Sequence, residues 1–313
     1  MNYLICVIVS FSLSLILTAA LLPLLKKLKA GQYILSYVKE HAAKGGTPTM
    51  GGLAFVAAII IVSFAFCGFS NNKINLILFI TLGFMMVGFI DDFLKIFRKG
   101  NEGLRPYQKI IFQLSISIIA AVYCYVNSIT SIMVPFSRGF SVDLGWGILP
   151  LVTFVFIATV NCVNLTDGLD GLAGGTSMAY LAILGVALVI TGEGGEMIAF
   201  SAVGALSAFL LFNCSKACIF MGDTGSLALG GLISALSVFT GNVLYIPILG
   251  IMFVLSGISV IIQVIYYKRT MRRVFLMAPI HHHFQMKGFS ESKISYAYFL
   301  ITALVGMICL IFV

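Results

Sequence analysis

Charge is what this sequence has least of. Of its 313 residues only 10% are Asp, Glu, Lys or Arg, whereas 60% are apolar. A water-soluble domain carries about 25% charged residues, so most of this chain is excluded from water. The opening MNYLICVIV lacks a basic stretch and a small-residue cleavage site, and it reads as a retained first span rather than a signal peptide. Zinc-type cysteine spacing is absent as well. The 7 Cys are scattered, most within apolar runs, and three residues separate Cys214 from Cys218. They read as small packing residues. No repeat, low-complexity tract or soluble domain interrupts the chain, which reads as one membrane domain over residues 1–313.

What is there is a series of apolar runs. They fall at residues 3–25, 52–69, 74–90, 110–126, 146–163, 172–190, 197–212, 227–240, 244–267 and 294–313. A spanning helix needs roughly 20 such residues. The expected fold is all-α, a polytopic membrane protein of about ten transmembrane helices. Runs 197–212 and 227–240 are the short ones and are expected to be tilted or partly submerged. With the N-terminus outside, only Lys73 and Arg138 of the 19 basic residues lie on the outer side. The positive-inside rule therefore makes the loops after spans one, three, five, seven and nine cytoplasmic, with both termini extracytoplasmic. The net charge of +8 faces the anionic leaflet and anionic solutes. Outside, segment 127–145 contains Pro135 and Gly139 and reads as a surface loop or short hairpin.

The cytoplasmic segments hold the chemistry, including all 4 His and most of the 11 acids. A charge deep in a bilayer costs roughly 2.5–3.5 kcal/mol even on the lenient insertion scale. Yet Asp91, Asp92, Asp167, Asp170 and Asp223 all abut apolar runs on this one side. Helix-end solvation explains any one of them, but not five together. Asp91 and Asp92 point about 100° apart on a helix, so they serve different partners. Lys95 reaches either, as an ion pair or as a cation aimed at a phosphate. Asn164, Asp167 and Asp170 are spaced by three, and Gly168 and Gly171 predict that the helix frays there into a polar loop. Gly222-Asp223-Thr224-Gly225-Ser226 precedes an apolar helix whose N-terminus suits a phosphate, and Asp223 suits a hard cation such as Mg²⁺. His281, His282 and His283 lack the Cys or Glu partners of a zinc site. Beside Arg272 and Arg273 they suit anion binding or proton transfer. A proton-coupled transporter would place ionisable groups at mid-span, where this chain has none. The parts describe phosphate chemistry at the membrane edge.

Five motifs carry a resemblance: KGGTPTMGG (44–52), DDFLK (91–95), NLTDGLDGLAGG (164–175), FMGDTGSLALGG (220–231) and APIHHHF (278–284). In this order they resemble the polyprenyl-phosphate N-acetylhexosamine-1-phosphate transferases, and TPTMGG with APIHHHF resembles the muramoyl-pentapeptide branch. The resemblance implies a Mg²⁺-dependent enzyme of the bacterial plasma membrane, with its active site on the cytoplasmic side. That enzyme would move phospho-MurNAc-pentapeptide from UDP-MurNAc-pentapeptide to undecaprenyl phosphate within the lipid bilayer, giving lipid I and UMP. A homodimer is implied, and no nucleic-acid partner. Asp223 would bind the metal, and Asp91, Asp92, His281 and His282 would be catalytic. Lys44, Asp167, Gly168, Leu169, Asp170, Asn213 and Phe220 would form the nucleotide pocket, with Phe220 stacked on uracil. Thr47, Lys95, Lys109, Asn164 and His283 would complete substrate binding. Gln285 and Phe289 stand where the family commonly has Glu and Trp.

Overall fold

The computed structural model describes residues 1–28, 46–98, 100, 102–137 and 139–312. It is an all-α membrane protein. The main helices are α1 (Asn2–Lys27), α2 (Gly52–Cys67), α3 (Asn72–Phe97), α4 (Pro106–Val126), α5 (Ile148–Thr166), α6 (Leu172–Thr191), α7 (Glu196–Asn213) and α8 (Gly222–Phe239). They are followed by α9 (Ile246–Leu249), α10 (Ile251–Thr270), the short α11 (Ile280–Met286) and α12 (Glu291–Leu310). Among the described residues, 9 helices are long and apolar enough to cross a membrane. The helix that falls short is α2, with 16 residues.

The two runs expected to be short belong to α7 and α8, which at 18 residues each are shorter than every other spanning helix and longer only than α2. Helix α7 reaches 18 residues by taking in Glu196 and Asn213, and α8 reaches 18 by taking in the Gly222–Ser226 segment. Polar residues hid these ends from a hydropathy count. The ninth run is divided: Pro247 sits in the first turn of α9, where its missing N–H is harmless, and the break comes at Gly250. Segment 127–145 does hold a hairpin, with β1 (Ser131–Met133) antiparallel to β2 (Ser141–Asp143) and Ile132 opposite Val142.

The centre of the bundle is α8, buried at every position from Thr224 to Phe239 and packed by α3, α5 and α2. Lipid tails are as apolar as a core, so helix association here relies on close backbone approach and interhelical hydrogen bonds. The interface of α1 with α7 shows both. Ser10 Oγ donates to Ser201 O at 2.6 Å and Ser14 Oγ to Ala205 O at 2.8 Å. The C-terminal ends of α3, α5 and α7 and the N-terminal ends of α2, α4, α6 and α8 share one end of the bundle. This alternation is what brings the motifs together.

Candidate active site

Asp91 and Asp92 lie in the penultimate turn of α3, 3% and 2% exposed. Their diverging directions give them different partners. Asp92 Oδ2 accepts from Thr224 N at 2.9 Å and Thr224 Oγ1 at 2.7 Å, tying α3 to the first turn of α8. Asp91 Oδ1 accepts from Leu104 N at 2.8 Å, and its Oδ2 pairs with Lys95. Asp223 stands in the first turn of α8, where the helix dipole favours a negative charge. Its Oδ2 accepts from Lys95 Nζ at 2.8 Å and Lys109 Nζ at 2.9 Å, and its Oδ1 from Asn164 Nδ2 at 2.7 Å. Asn164 Nδ2 also lies 2.8 Å from Ser226 Oγ.

This packing requires very small residues. A Cβ on Gly88 would overlap the Asp223 carbonyl, so α3 reaches α8 only as glycine. Gly222 has φ +70 and sits against Asp92 and Thr49, where a Cβ would come within 2.5 Å of Thr49 Oγ1. The TPTMGG segment runs alongside: Gly51 N donates to Phe220 O at 2.8 Å and Phe220 N to Pro48 O at 2.8 Å. Phe220 itself is half-buried, as is Thr47. Lys44 lies outside the described residues.

The polar loop expected after span five is present. Helix α5 ends at Thr166, Asp167 caps it, and Gly171 at φ 71 opens α6. Asn213 holds this loop, its Oδ1 accepting from Gly171 N at 3.1 Å while its Nδ2 donates to Ile219 O at 2.9 Å. Asp170 Oδ2 accepts from Ala217 N at 2.9 Å. Leu169 buries its side chain with Leu172, Met252, Ile294 and Tyr298. Asp167 lies just beyond the span. Its carboxyl is pushed up to about 8, first by burial and then by the negative charges of Asp223, Asp92 and Asp170.

The histidines divide. His281 is fully buried, its ring 4.4 Å from that of His282, and a Cβ on Gly168 would collide with it. The first two histidines thus abut the Asp167–Asp170 loop. His283 turns the other way: its Nδ1 accepts from Leu276 N at 3.1 Å and its ring packs on Phe275. His282 Nδ1 lies 3.0 Å from Gln285 Oε1.

Oxygens of Asp91, Asp92 and Asp223 lie within 4.8 Å of one another, the one such group of metal-ligating residues among the described residues. All are hard carboxylate donors, which fits Mg²⁺ and not a thiophilic ion. The ammonium groups of Lys95 and Lys109 already sit where cationic charge is favoured.

A centre of clustered carboxylates, two lysines and a helix N-terminus, set at a membrane edge, belongs to a phosphoryl-transfer class. The profile of glycosyl transferase family 4 matches residues 74–241, which contain it. Over nearly its whole length the chain is similar to phospho-N-acetylmuramoyl-pentapeptide-transferases. It is 42% identical to that of Acetivibrio thermocellus, covering 95% of this chain and 91% of the relative. It is 40% identical to that of Clostridioides difficile strain 630 (97% and 95%) and 44% identical to that of Clostridium perfringens SM101 (95% and 92%). The chain belongs to this family of transferases.

Several residues of the site escape a sequence reading. Thr224 and Ser226 are small polar residues within a motif whose aspartate draws the attention. Leu104 contributes only its N–H, which no side-chain pattern reveals. Glu291, opening α12, accepts from Asp170 N at 3.2 Å and thereby ties the last span to the polar loop. Its acidic position before an apolar run was the available signal.

Proposed function

We propose that this chain transfers phospho-MurNAc-pentapeptide from UDP-MurNAc-pentapeptide to undecaprenyl phosphate, yielding lipid I and UMP. The carrying observation is the convergence on Asp223 of Lys95, Lys109 and Asn164 beside Asp91 and Asp92, in a chain similar along its length to enzymes of that name.

Asp223 would hold Mg²⁺, with Asp91 and Asp92 completing the carboxylate set. When bound, the ion would neutralise diphosphate charge. The rest falls to the protein's own side chains. The acceptor's phosphate monoester has a second pKa near 6, so it is mostly a dianion at neutral pH and needs little deprotonation. Repulsion between two anions is the barrier, and Lys95 and Lys109 relieve it. A phosphate oxygen of the lipid attacks the β-phosphorus of the donor directly. The bond from that phosphorus to the bridging oxygen breaks, and the electron pair leaves with UMP. Asp92, committed to Thr224, fixes α8 against α3. Asp91, paired with Lys95, orients the acceptor or takes its residual proton. Asp167, Gly168, Leu169, Asp170, Asn213 and Phe220 form the uridine side of the pocket with Lys44, and Thr47 lies alongside. His281 and His282 approach the diphosphate and sugar, with His283 tying α11 to the segment before it.

On this reading the site faces the cytoplasm of a bacterial plasma membrane, as the distribution of Lys and Arg supports, and the enzyme is a homodimer with one catalytic domain over residues 1–313. The decisive assay offers UDP-MurNAc-pentapeptide and UDP-N-acetylglucosamine side by side and measures UMP release with and without Mg²⁺ and undecaprenyl phosphate. Release from the first donor alone, requiring both additions, is expected. Equal use of UDP-N-acetylglucosamine would reject the donor assignment. An aspartyl phospho-sugar adduct would reject direct attack.

A further inference from the structure

One helical turn further along the spans from Lys109 and Asn164, a direct polar contact joins α4 to α5. Asn161 Nδ2 donates to Gln113 Oε1 at 2.7 Å. The same Nδ2 donates to the carbonyl of Ile157, in its own helix, at 2.8 Å. That bond fixes the asparagine as donor, so the glutamine atom meeting it is the oxygen. Gln113 is completely buried, and its Nε2 has no hydrogen-bond partner among the described residues.

Helical spacing turns this contact into part of a ring. Gln113 follows Lys109 by four residues on α4, and Asn161 precedes Asn164 by three on α5, so each pair shares a face. Lys109 and Asn164 then meet on the two oxygens of Asp223, Lys109 Nζ at 2.9 Å from Oδ2 and Asn164 Nδ2 at 2.7 Å from Oδ1. The ring runs Asp223, Lys109, Gln113, Asn161, Asn164 and back to Asp223.

We infer that Gln113 is a positioning residue, which through Asn161 sets the spacing of α4 and α5 so that Lys109 and Asn164 grip the Asp223 carboxylate from both sides. A purely stabilising role fits poorly. An amide with a buried, unsatisfied donor is worse for stability than an apolar side chain of equal length, and only its acceptor half is used. This inference rests on Lys109 and Asp223 acting in catalysis, as proposed above.

The test uses the full-length enzyme in detergent with UDP-MurNAc-pentapeptide and undecaprenyl phosphate, following UMP release. Gln113→Met removes the acceptor at nearly constant volume. Its kcat is expected to fall about 10-fold with the KM for the nucleotide substrate unchanged within about twofold, and with an unfolding temperature no lower than wild type. Asn161→Leu is expected to give the same loss, and the double variant no further loss. In a Lys109→Met background, Gln113→Met is expected to cost clearly less than about 10-fold, because part of its effect runs through that lysine and only the part through Asn164 remains. Wild-type kcat in Gln113→Met, fully additive losses, or a lowered unfolding temperature with unchanged kcat would each overturn the inference. Lys109→Met measured alone separates the premises: if that variant is fully active, the catalytic reading of Lys109 fails, whatever Gln113 does.

Discussion

Lys109 Nζ lies 2.9 Å from Asp223 Oδ2, joining the first turn of α4 to the first turn of α8 across 114 positions of sequence. The same oxygen accepts from Lys95, so two ammonium groups compete for the carboxylate that is best placed to hold a metal. Removing one has two opposite effects. Asp91, Asp92 and Asp223 become a more negative cluster, which attracts a divalent cation more strongly. The substrate phosphates lose a neutralising charge. Lys109→Met should therefore lower the Mg²⁺ concentration needed for half-maximal activity while reducing kcat by about 10²–10³-fold. A Mg²⁺ titration of UMP release reads both. A raised metal requirement would show that Lys109 supports the ion rather than competing with it.

Asp92 makes a different prediction. Its Oδ2 serves two donors of Thr224 in a site 2% exposed. Asp92→Ala strands both donors and should destabilise the protein by about 2–3 kcal/mol. Asp92→Asn retains an acceptor oxygen and should recover most of that stability but not the activity. Thermal unfolding in detergent, paired with turnover, distinguishes the two.

The contact of α3 with α8 leaves no room at Gly88, where an added methyl would overlap the backbone of Asp223. Backbone cannot yield as a side-chain tip can. Gly88→Ala should cost about 1–3 kcal/mol or more and displace the metal ligand enough to abolish turnover. Gly83→Ala is the control on the same helix. Its Cβ would meet the end of Ile116 at 3.3 Å, which a small side-chain shift relieves, and activity should persist.

The spans and the clustering of acids at one end could be read directly, because hydropathy and the positioning of Lys and Arg are both local properties of the chain. Asp91, Asp92, Asp167 and Asp223 stood out because a carboxylate beside an apolar run is costly. Four things were not legible. The ends of α7 and α8 were hidden because Glu196, Asn213 and the Gly222–Ser226 segment are polar or small and fall outside an apolar run. That Asp91 and Asp92 serve different partners was legible from their adjacency, but the partners themselves, the Leu104 N–H and Thr224, were not, because they come from other segments. Gln113 is one of three polar residues in its apolar run, with Ser115 and Ser117, and only the neighbouring Asn161 reveals its use. The separation of His283 from His281 and His282 was not legible either, since it depends on the Leu276 N–H and the Phe275 ring.

Asp167 contributes a pH dependence of its own. Its carboxyl is pushed up to about 8 in the folded protein, first by burial and then by the nearby acids, against about 3.9 for an unfolded chain. A folded state that holds its proton more tightly is favoured at low pH. The contribution of Asp167 to stability should fall as pH rises from about 4, and level off above about 8. Asp167→Asn mimics the protonated form and cannot ionise. Its unfolding temperature, measured without substrate or metal, should match wild type near pH 4 and exceed it by a growing margin up to pH 8–9. Added Mg²⁺ should shrink that margin by neutralising Asp223 and Asp92, which contribute to the shift. Parallel stability curves for the two proteins across this range would show that the Asp167 proton is not held by the fold.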